Sequence, residues 1–331
     1  MKHVTLAMGT VLATSSLVAC GGGGSGSGPN ETTTSSTLEC RDLTRTSATP
    51  APGWEGSVFT IVMENKGRDE IIGNAQAPYI NQLARQGGVA MGYRDPNIHP
   101  SEPNYIWMVA GQHFGISDDA DPKSHPLEST THLADQLELA DLSWKSYQES
   151  MGAPCGLVSH GTYAAKHNPF VYFTDINGWD GKTFQPSQRC QEHVVDYSEL
   201  DADLAANTVP KYAFITPNMK NDMHDGSVAD GDAWLARELP KILASDAYKH
   251  NGVVFLLWDE GSNGPQRDEP PFVVISPNVR PGTVSNVAYD TTSYLKTVQE
   301  ILGVDALPCS PEPDQIDAMH DLFAKPMTAT L

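Results

Sequence analysis

Four short runs of almost continuously apolar residues lie along the chain, and they predict β-strands buried inside a sheet. They are Ser57 to Met63, Tyr212 to Thr216, Val253 to Trp258 and Phe272 to Ser276. A strand that is apolar at both odd and even positions is covered on both of its faces. These runs therefore indicate the centre of a sheet with helices on both sides.

Segments between the runs carry helical patterns. Pro78 to Gln86 ends at two glycines, and Ser293 to Leu302 places its apolar residues on one stripe before Gly303. Strands that alternate with helices favour the α/β class, here a sandwich with a largely parallel central sheet covered by helices on both faces. From about Gly111 to Pro210 the strand patterns are weaker, and we expect loops and short helices there over one edge of the sheet.

The N-terminal residues predict export. Lys2 precedes an apolar run from about Val4 to Val18 that is too short for a stable membrane span, so residues 1–19 are typical of a signal peptide. Leu17 to Cys20 resembles a bacterial lipobox, and we expect acyl chains on Cys20. The alternative is ordinary secretion with a free thiol at this position. Lipidation predicts an anchored protein of the bacterial cell envelope that faces the periplasm or the cell exterior.

A polar segment follows the lipobox. Gly21 to about Thr37 is rich in Gly, Ser and Thr and lacks large apolar residues, so it cannot pack a core. We assign residues 20–39 to the lipidated cysteine and a flexible tether. No second stretch of this kind interrupts residues 40–331, which we expect to form a single domain.

With Cys20 assigned to lipid, four cysteines remain. An even number in an oxidising compartment favours two disulfides over metal binding, and no Cys-x-x-Cys spacing competes with that interpretation. Three connectivities are open. We favour Cys155 with Cys190, closing one excursion of the chain, and Cys40 with Cys309, joining the two ends of the domain.

The chain is strongly acidic. Its formal net charge is −20, and loss of Lys2 with the signal peptide gives −20 − 1 = −21. Such a surface repels nucleic acid and anionic lipid at long range. We therefore expect no nucleic-acid partner, contact with the membrane only through the lipid anchor, and local attraction of any anionic substrate by a bound cation.

Acidic and amide residues follow directly after three of the apolar runs. These are Glu64-Asn65, Asp259-Glu260, and Asn218 with the segment Asn221 to Asp225. Functional groups gather at the carboxyl ends of strands in open α/β sheets. Carboxylates crowded at one edge repel each other, which favours a divalent cation between them. The plainer alternative is that these residues are solvated strand ends or helix caps.

A second polar motif precedes a helical segment. It runs from His99 to Tyr105, after which residues 106–110 continue as a helix that ends at Gly111. We place Ser101 near the N-cap and Pro103 near the first helical position. A serine hydroxyl at a helix N-terminus lies beside free N–H groups that favour phosphate. Alone, the motif is more typical of a capping serine.

Four motifs together resemble a known family. Ile61 to Asn65, His99 to Tyr105, Pro217 to Gly226 and Trp258 to Gly261 are similar, in this order, to the bacterial and fungal phosphoesterases that comprise acid phosphatases and non-specific phospholipases C. That family has the alkaline phosphatase superfamily fold. The resemblance extends from about residue 58 to residue 323 and implies an alkaline-phosphatase-like sandwich.

The resemblance also implies the roles of particular residues. Ser101 would attack phosphorus, and the metal ligands would be Glu64, Asn65, Ser101, Asp259 and Glu260. Metal coordination lowers the pKa of a serine hydroxyl, and covalent catalysis divides hydrolysis into two easier steps. Positions that match catalytic or substrate-contacting residues of the family are His224 as a catalytic residue, and Asn104, His167 and His99 as substrate-binding residues.

One segment departs from the family pattern. Many relatives have a histidine before the last helix, whereas this chain has Tyr289 to Ser293, and Asp290 is the residue that could substitute for it. The resulting oxygen-dominated site suits magnesium, calcium or manganese, and zinc is also compatible.

The resulting prediction is a metal-dependent hydrolase of small phosphate esters, close to the acid phosphatases. Phospholipase C activity on phosphatidylcholine-type diesters is the first alternative, and a non-catalytic surface lipoprotein with a decayed phosphatase fold is the second. Sulfatases have a Cys/Ser-x-Pro-x-Arg pattern at the nucleophile. This chain has Ser101-Glu102-Pro103-Asn104-Tyr105, so a tyrosine replaces the arginine and the sulfatase class is disfavoured. A Ser-His-Asp esterase is disfavoured because no Gly-x-Ser-x-Gly pentapeptide occurs in the chain.

Overall fold

A computed structural model describes residues 50–129, 131–262, 268–307 and 317–324. The predicted signal peptide, Cys20, the tether, Cys40 and Cys309 lie outside these ranges, so the expectations for them stay predictions. Among the described residues, no helix is both long and apolar enough to cross a membrane.

Eight strands form one sheet within the described ranges. In chain order they are β1 (Val58–Met63), β2 (Gly88–Ala90), β3 (Trp144–Gln148), β4 (Val194–Asp196), β5 (Tyr212–Thr216), β6 (Val253–Trp258), β7 (Phe272–Ile275) and β8 (Thr283–Ser285).

The strand order across the sheet is β4-β3-β5-β1-β6-β7-β2-β8. The pairs on either side of β1 are parallel, and β7 is antiparallel to both β6 and β2. The prediction of a largely parallel sheet is therefore confirmed, with β7 as the reversed strand. Its N-terminal end lies at the edge where its neighbours have their carboxyl ends.

Helices cover both faces of this sheet. They are α1 (Arg68–Ile71), α2 (Pro78–Gln86), α3 (Ser101–Ala110), α4 (Leu133–Leu139), α5 (Thr174–Asn177), α6 (Gln188–His193), α7 (Glu199–Ala206), α8 (Val228–Leu243), α9 (Asp246–Lys249) and α10 (Thr291–Leu302). Short 3-10 turns occupy Ala165–His167, Pro169–Tyr172 and His320–Leu322.

Two apolar layers result, because alternate residues of each strand point to opposite faces. On β1, Val58 and Val62 pack with α3 and α10, whereas Phe59, Ile61 and Met63 pack with α2 and α8. Every residue of β1 is buried. The apolar runs are continuous because both faces of the strand are covered, as their pattern predicted.

The four predicted strands agree with the structure to within one residue at each end, but four further strands were not predicted. Contrary to expectation, the segment from Gly111 to Pro210 adds β3 and β4 to the sheet beside its loops and short helices. Strand β3 contains three polar residues among its five, and its buried Gln148 donates a hydrogen bond to the Thr216 hydroxyl on β5 at 3.1 Å. Polar residues satisfied in this way conceal a buried strand from a hydrophobicity pattern.

A disulfide joins Cys155 and Cys190, whose Cα atoms are 5.4 Å apart, as predicted. It closes the loop that carries the two 3-10 turns Ala165–His167 and Pro169–Tyr172.

Candidate active site

Glu64 and Asp259 leave the sheet side by side. They directly follow β1 and β6, and the parallel register pairs Met63 with Trp258. The Asp259 N–H donates to the Met63 carbonyl at 3.1 Å, which extends the ladder by one bond. Both carboxyl groups are fully buried. The edge that the sequence predicted as acidic is therefore also shielded from water.

Asn65 connects these two acids. Its backbone is left-handed, with φ of 52°, a conformation that asparagine adopts more readily than most residues. In this turn its N–H donates to Asp259 Oδ1 at 3.2 Å, while its side-chain amide donates to Glu64 Oε2 at 2.9 Å. The amide oxygen of Asn65 is left to bind another group.

Ser101 contacts the same carboxylate, at the oxygen that also accepts the Asn65 amide. Its hydroxyl donates to Glu64 Oε2 at 3.1 Å and is almost entirely buried. Helix α3 begins at Ser101 with Pro100 as the N-cap, so Pro103 is the third helical residue and not the first as expected. The sequence pattern placed the helix start about two residues late because prolines suit any position of the first turn, whose N–H groups lack partners inside the helix.

Burial and mutual repulsion make the charged forms of these acids unfavourable unless a positive charge lies among them. Burial, then repulsion by Asp259 and Asp222, raises the pKa of Glu64 well above its usual range. Burial and the adjacent Glu260 do the same to the pKa of Asp259, and burial raises the pKa of Asp222 to about 7. Buried carboxylate oxygens without a hydrogen-bond partner are Glu64 Oε1, Asp222 Oδ2 and Asp259 Oδ2. Orphaned oxygens at one site fit a divalent cation.

His167 lies behind Glu64 and not on an open surface. Its ring stacks on Tyr105, with centroids 5.0 Å apart, and its Nε2 lies 3.0 Å from Glu64 Oε1 without hydrogen-bond geometry. Its Nδ1 lies 3.3 Å from Asp222 Oδ2. Burial, together with the charge of Lys166, lowers the pKa of His167 well below its usual range. A neutral imidazole there contributes a nitrogen donor beside the acids.

Lys166 is a cation of the site that the sequence pattern did not single out. Its ammonium donates to Asp119 Oδ2 at 2.7 Å and lies 3.4 Å from His224 Nε2. Burial lowers the pKa of Lys166, but the hydrogen bond to Asp119 and the charge of Glu64 outweigh it, and the net shift is upward. The sequence feature that could have identified Lys166 is its position next to His167 in the Lys-His-Asn-Pro-Phe segment.

His224 closes this side of the site. Its Nδ1 lies 2.8 Å from Asp225 Oδ1, which leaves Nε2 facing the ammonium of Lys166. Its side chain is partly exposed, in contrast to His167. Glu64, His167 and His224 offer ligand atoms that all lie within 4.8 Å of one another. Nitrogen donors therefore join the oxygen donors that the sequence predicted.

The remaining predicted site residues have other immediate partners. Glu260 and Asp268 contact the two ring nitrogens of His99. The Asn104 amide donates to the Ile98 carbonyl at 2.7 Å and to the Pro100 carbonyl at 3.3 Å, so it braces the loop before Ser101.

The Asn218 to Asp225 segment contributes one acid to the site. Asn218 N–H and the Asn221 amide bind Glu149, which follows β3 and is not one of the acids around Ser101. Asp222 instead accepts the His224 N–H at 2.7 Å, and its carbonyl accepts the Glu64 N–H at 2.8 Å. Outside this segment, Asp290 caps α10 by accepting the Thr292 and Ser293 N–H groups, a local role that occupies the residue proposed to replace a histidine.

Comparisons with known proteins agree with this geometry. The sequence profile of the Phosphoesterase family matches residues 70–305. A phosphatidylinositol-3-phosphatase of Mycobacterium tuberculosis is 35% identical over 248 residues, which cover 75% of this chain and 77% of that protein. A probable acid phosphatase of Kluyveromyces lactis is 28% identical over 252 residues, covering 73% of this chain and just over half, 56%, of that protein.

The fold is shared with solved structures at low sequence identity. A protein in the alkaline phosphatase superfamily from Vibrio parahaemolyticus superposes with a TM-score of 0.54 at 13% identity, covering 83% of this chain and 74% of its own. The predicted alkaline-phosphatase-like sandwich is thus confirmed. Together with the family match, this shows that the chain belongs to the phosphoesterase family and is a hydrolase of phosphoric esters.

Proposed function

We propose that the chain is a divalent-metal-dependent phosphomonoesterase that acts through a phosphoserine at Ser101. The observation that carries this proposal is the position of Ser101. It is the first residue of α3, and its hydroxyl donates to the buried carboxylate of Glu64 at 3.1 Å. A hydroxyl at a helix N-terminus lies where backbone N–H groups favour a phosphate.

The family and its fold imply the use of a metal, and the donor set of this chain fits one. Glu64, Asn65, Ser101, Asp259 and Glu260 would hold it, in accord with the orphaned oxygens of Glu64 and Asp259. When bound, a divalent cation supplies the charge that lowers the pKa of a serine hydroxyl and attracts phosphate oxygens. The nearby His167 and His224 make manganese or zinc as suitable as magnesium or calcium.

The side chains of the site divide the reaction into two displacements. Ser101 gives its hydroxyl proton to the Glu64 carboxylate that accepts its hydrogen bond, and its Oγ forms a bond to phosphorus as the ester P–O bond breaks. The leaving alkoxide takes a proton from water beside the partly exposed His224. Water then attacks the phosphoserine, the Oγ–P bond breaks, and inorganic phosphate departs. Lys166 faces the same space and would neutralise the charge that develops on the phosphoryl oxygens.

Monoesters are the favoured substrates because the named relatives are phosphatases. The net charge of −20 disfavours approach to an anionic bilayer. Phospholipase C action on phosphatidylcholine-type diesters is the alternative. A decayed, non-catalytic lipoprotein is disfavoured because Ser101 and the four acidic and amide ligands occur together.

The test is turnover by purified residues 40–331 on a monoester, a diester and a sulfate ester, each as its p-nitrophenyl compound. We expect the monoester to be preferred, and Ser101→Ala to lose roughly 10³-fold or more in kcat. Ser198→Ala, which changes an exposed serine before α7, is the matched control.

Acid quenching during turnover of a labelled monoester, followed by peptide mapping, should find phosphate on Ser101. A Ser101→Ala enzyme as active as the Ser198→Ala control would rule out serine as the obligatory nucleophile. Preference for the diester would instead support the phospholipase alternative.

We further propose that the mature chain is lipid-anchored in the bacterial envelope, on the basis of Leu17 to Cys20 and the polar tether. Cells that express the full chain are labelled with a fatty-acid analogue. We expect label on the wild type and none on Cys20→Ser, and equal labelling of both would overturn this proposal.

A further inference from the structure

A second cluster of ligand-type side chains lies beside the catalytic edge. Asp95, His99 and Asp268 offer ligand atoms that all lie within 4.8 Å of one another. The three residues come from two different loops, since Asp95 and His99 lie between β2 and α3, whereas Asp268 precedes the reversed strand β7. The backbone holds the loops together, because the Asp95 N–H donates to the Asp268 carbonyl at 3.3 Å.

Asp95 is the residue that calls for a ligand. It is only 4% exposed, and its Oδ2 is buried without a hydrogen-bond partner. Its other oxygen accepts the Asn97 N–H at 2.8 Å. Leaving a charged oxygen buried and unpaired is costly unless a positive charge or a donor reaches it.

Two arginines close to this cluster in the described part of the chain are paired with another acid. Arg68 and Arg94 both form ion pairs with Glu269, at 3.1 Å and 2.6 Å. The local imidazole cannot balance the site either, because even a protonated His99 carries one positive charge against the carboxylates of Asp95, Asp268 and Glu260. A divalent cation would remove this imbalance.

The ring of His99 has a carboxylate at each of its two nitrogens, and one of these carboxylates belongs to the cluster itself. Glu260 contacts Nδ1, and Nε2 lies 2.9 Å from Asp268 Oδ1. A carboxylate that holds one imidazole nitrogen, and so directs the other towards a metal, is the common arrangement around metal-binding histidines. Imidazole and carboxylate are ligand types that zinc and manganese accept.

We propose that Asp95, His99 and Asp268 form a second divalent-cation site, distinct from the catalytic ligand set and linked to it through Glu260. His99 is then a metal ligand in addition to its predicted place near the substrate. The link means that occupancy of the second site fixes the orientation of Glu260, a proposed ligand of the first.

The experiment counts metal ions on the folded domain and does not depend on turnover. The full chain is stripped with a chelator, dialysed against zinc or manganese, and analysed for bound metal per chain by mass spectrometry. The variants are Asp95→Asn, Asp268→Asn and Asp259→Asn, with Glu192→Gln, an exposed acid on α6, as the control.

We expect two ions per chain in the wild type and in Glu192→Gln, and one ion in each of Asp95→Asn, Asp268→Asn and Asp259→Asn. Loss of one ion through Asp259 and of another through Asp95 identifies two separate sites. One ion in the wild type, or wild-type metal content in Asp95→Asn and Asp268→Asn, would overturn the proposal.

Circular dichroism verifies that each variant is folded. If Asp95→Asn does not fold, Asp268→Asn decides, because Asp268 is 35% exposed and its replacement leaves the core intact. Failure here leaves the catalytic proposal standing, since that proposal depends on Ser101 and Asp259 and is tested by turnover.

Discussion

Glu64 and Asp259, which are 195 positions apart in the chain, are bridged by the single residue Asn65, whose N–H and side-chain amide bind one acid each. The register of β1 with β6 brings the two acids to the same level of the sheet. The strand register therefore places the two acids of the candidate metal site. The left-handed turn at Asn65 then fixes their positions relative to each other.

The turn at Asn65 allows a test that separates backbone from side chain. Asn65→Gly keeps the left-handed conformation and the N–H bond to Asp259 but removes the amide that contacts Glu64. We expect metal affinity to fall roughly 10-fold or more, with the fold retained, as measured by equilibrium dialysis and circular dichroism.

The matched control for this change is Asn207→Gly, at a left-handed position with φ of 55° after α7. It should leave metal affinity unchanged. Equal affinity of the two variants would show that the Asn65 side chain has no part in metal binding.

Lys166 is predicted to bind the phosphoryl group. Lys166→Met removes the charge but keeps most of the length of the side chain, and we expect roughly 10²-fold lower kcat/KM with unchanged metal content. Inhibition by inorganic phosphate should weaken in parallel, which a purely structural lysine would not cause. The control is Lys220→Met on the exposed turn before α8, and similar kinetics for the two variants would contradict this role.

Titration of Glu102 should contribute to the pH dependence of the free energy of unfolding. Burial raises its pKa to about 7, although the hydrogen bond from His125 opposes the shift. An unfolded glutamate titrates near ~4.3. Between these two values the folded chain binds more protons than the unfolded chain, so the free energy of unfolding falls as pH rises from about 4 to about 7.

Urea titrations of the chelator-treated domain at several pH values measure this slope. Glu102→Gln carries no titratable proton and should make the slope less steep by the share of one group, with Glu64, Asp222 and Asp259 retaining theirs, whereas the exposed Glu192→Gln should leave it unchanged. The same slope in Glu102→Gln and the wild type would show that other groups cause the pH dependence.

The disulfide between Cys155 and Cys190 should stabilise the domain. Replacing both cysteines by alanine removes a cross-link over 35 positions, for which we expect a loss of roughly 2–4 kcal/mol in the free energy of unfolding. Urea unfolding under oxidising conditions measures the difference. A double variant as stable as the wild type would mean that packing alone fixes this loop.

The centre of the fold could be predicted because β1, β5 and β6 are apolar on both faces and cannot belong to the surface. The outer strands could not, since β2, β4 and β8 have three residues each and β3 hides polar residues that are satisfied inside the sheet. Glu64 and Asp259 could be predicted as site residues because they directly follow β1 and β6, whose carboxyl ends lie at the same edge of the sheet.

Other parts of the site depend on contacts that no local pattern contains. Lys166 gains its role from Asp119, 47 positions away, and Asp268 reaches the edge ahead of a reversed strand, where a search of residues that follow strands does not look. The predicted start of α3 was about two residues late because Pro100 and Pro103 are both compatible with the first turn of a helix.

The loop closed by Cys155 and Cys190 has a consequence for the order in which the enzyme matures. Lys166 and His167 lie inside this loop, whereas Glu64, Ser101 and Asp259 lie outside it. A newly made, reduced chain can therefore assemble its nucleophile and acids while the cationic side depends on non-covalent contacts alone. Oxidation would then add a covalent constraint to the part of the chain that carries Lys166 and His167.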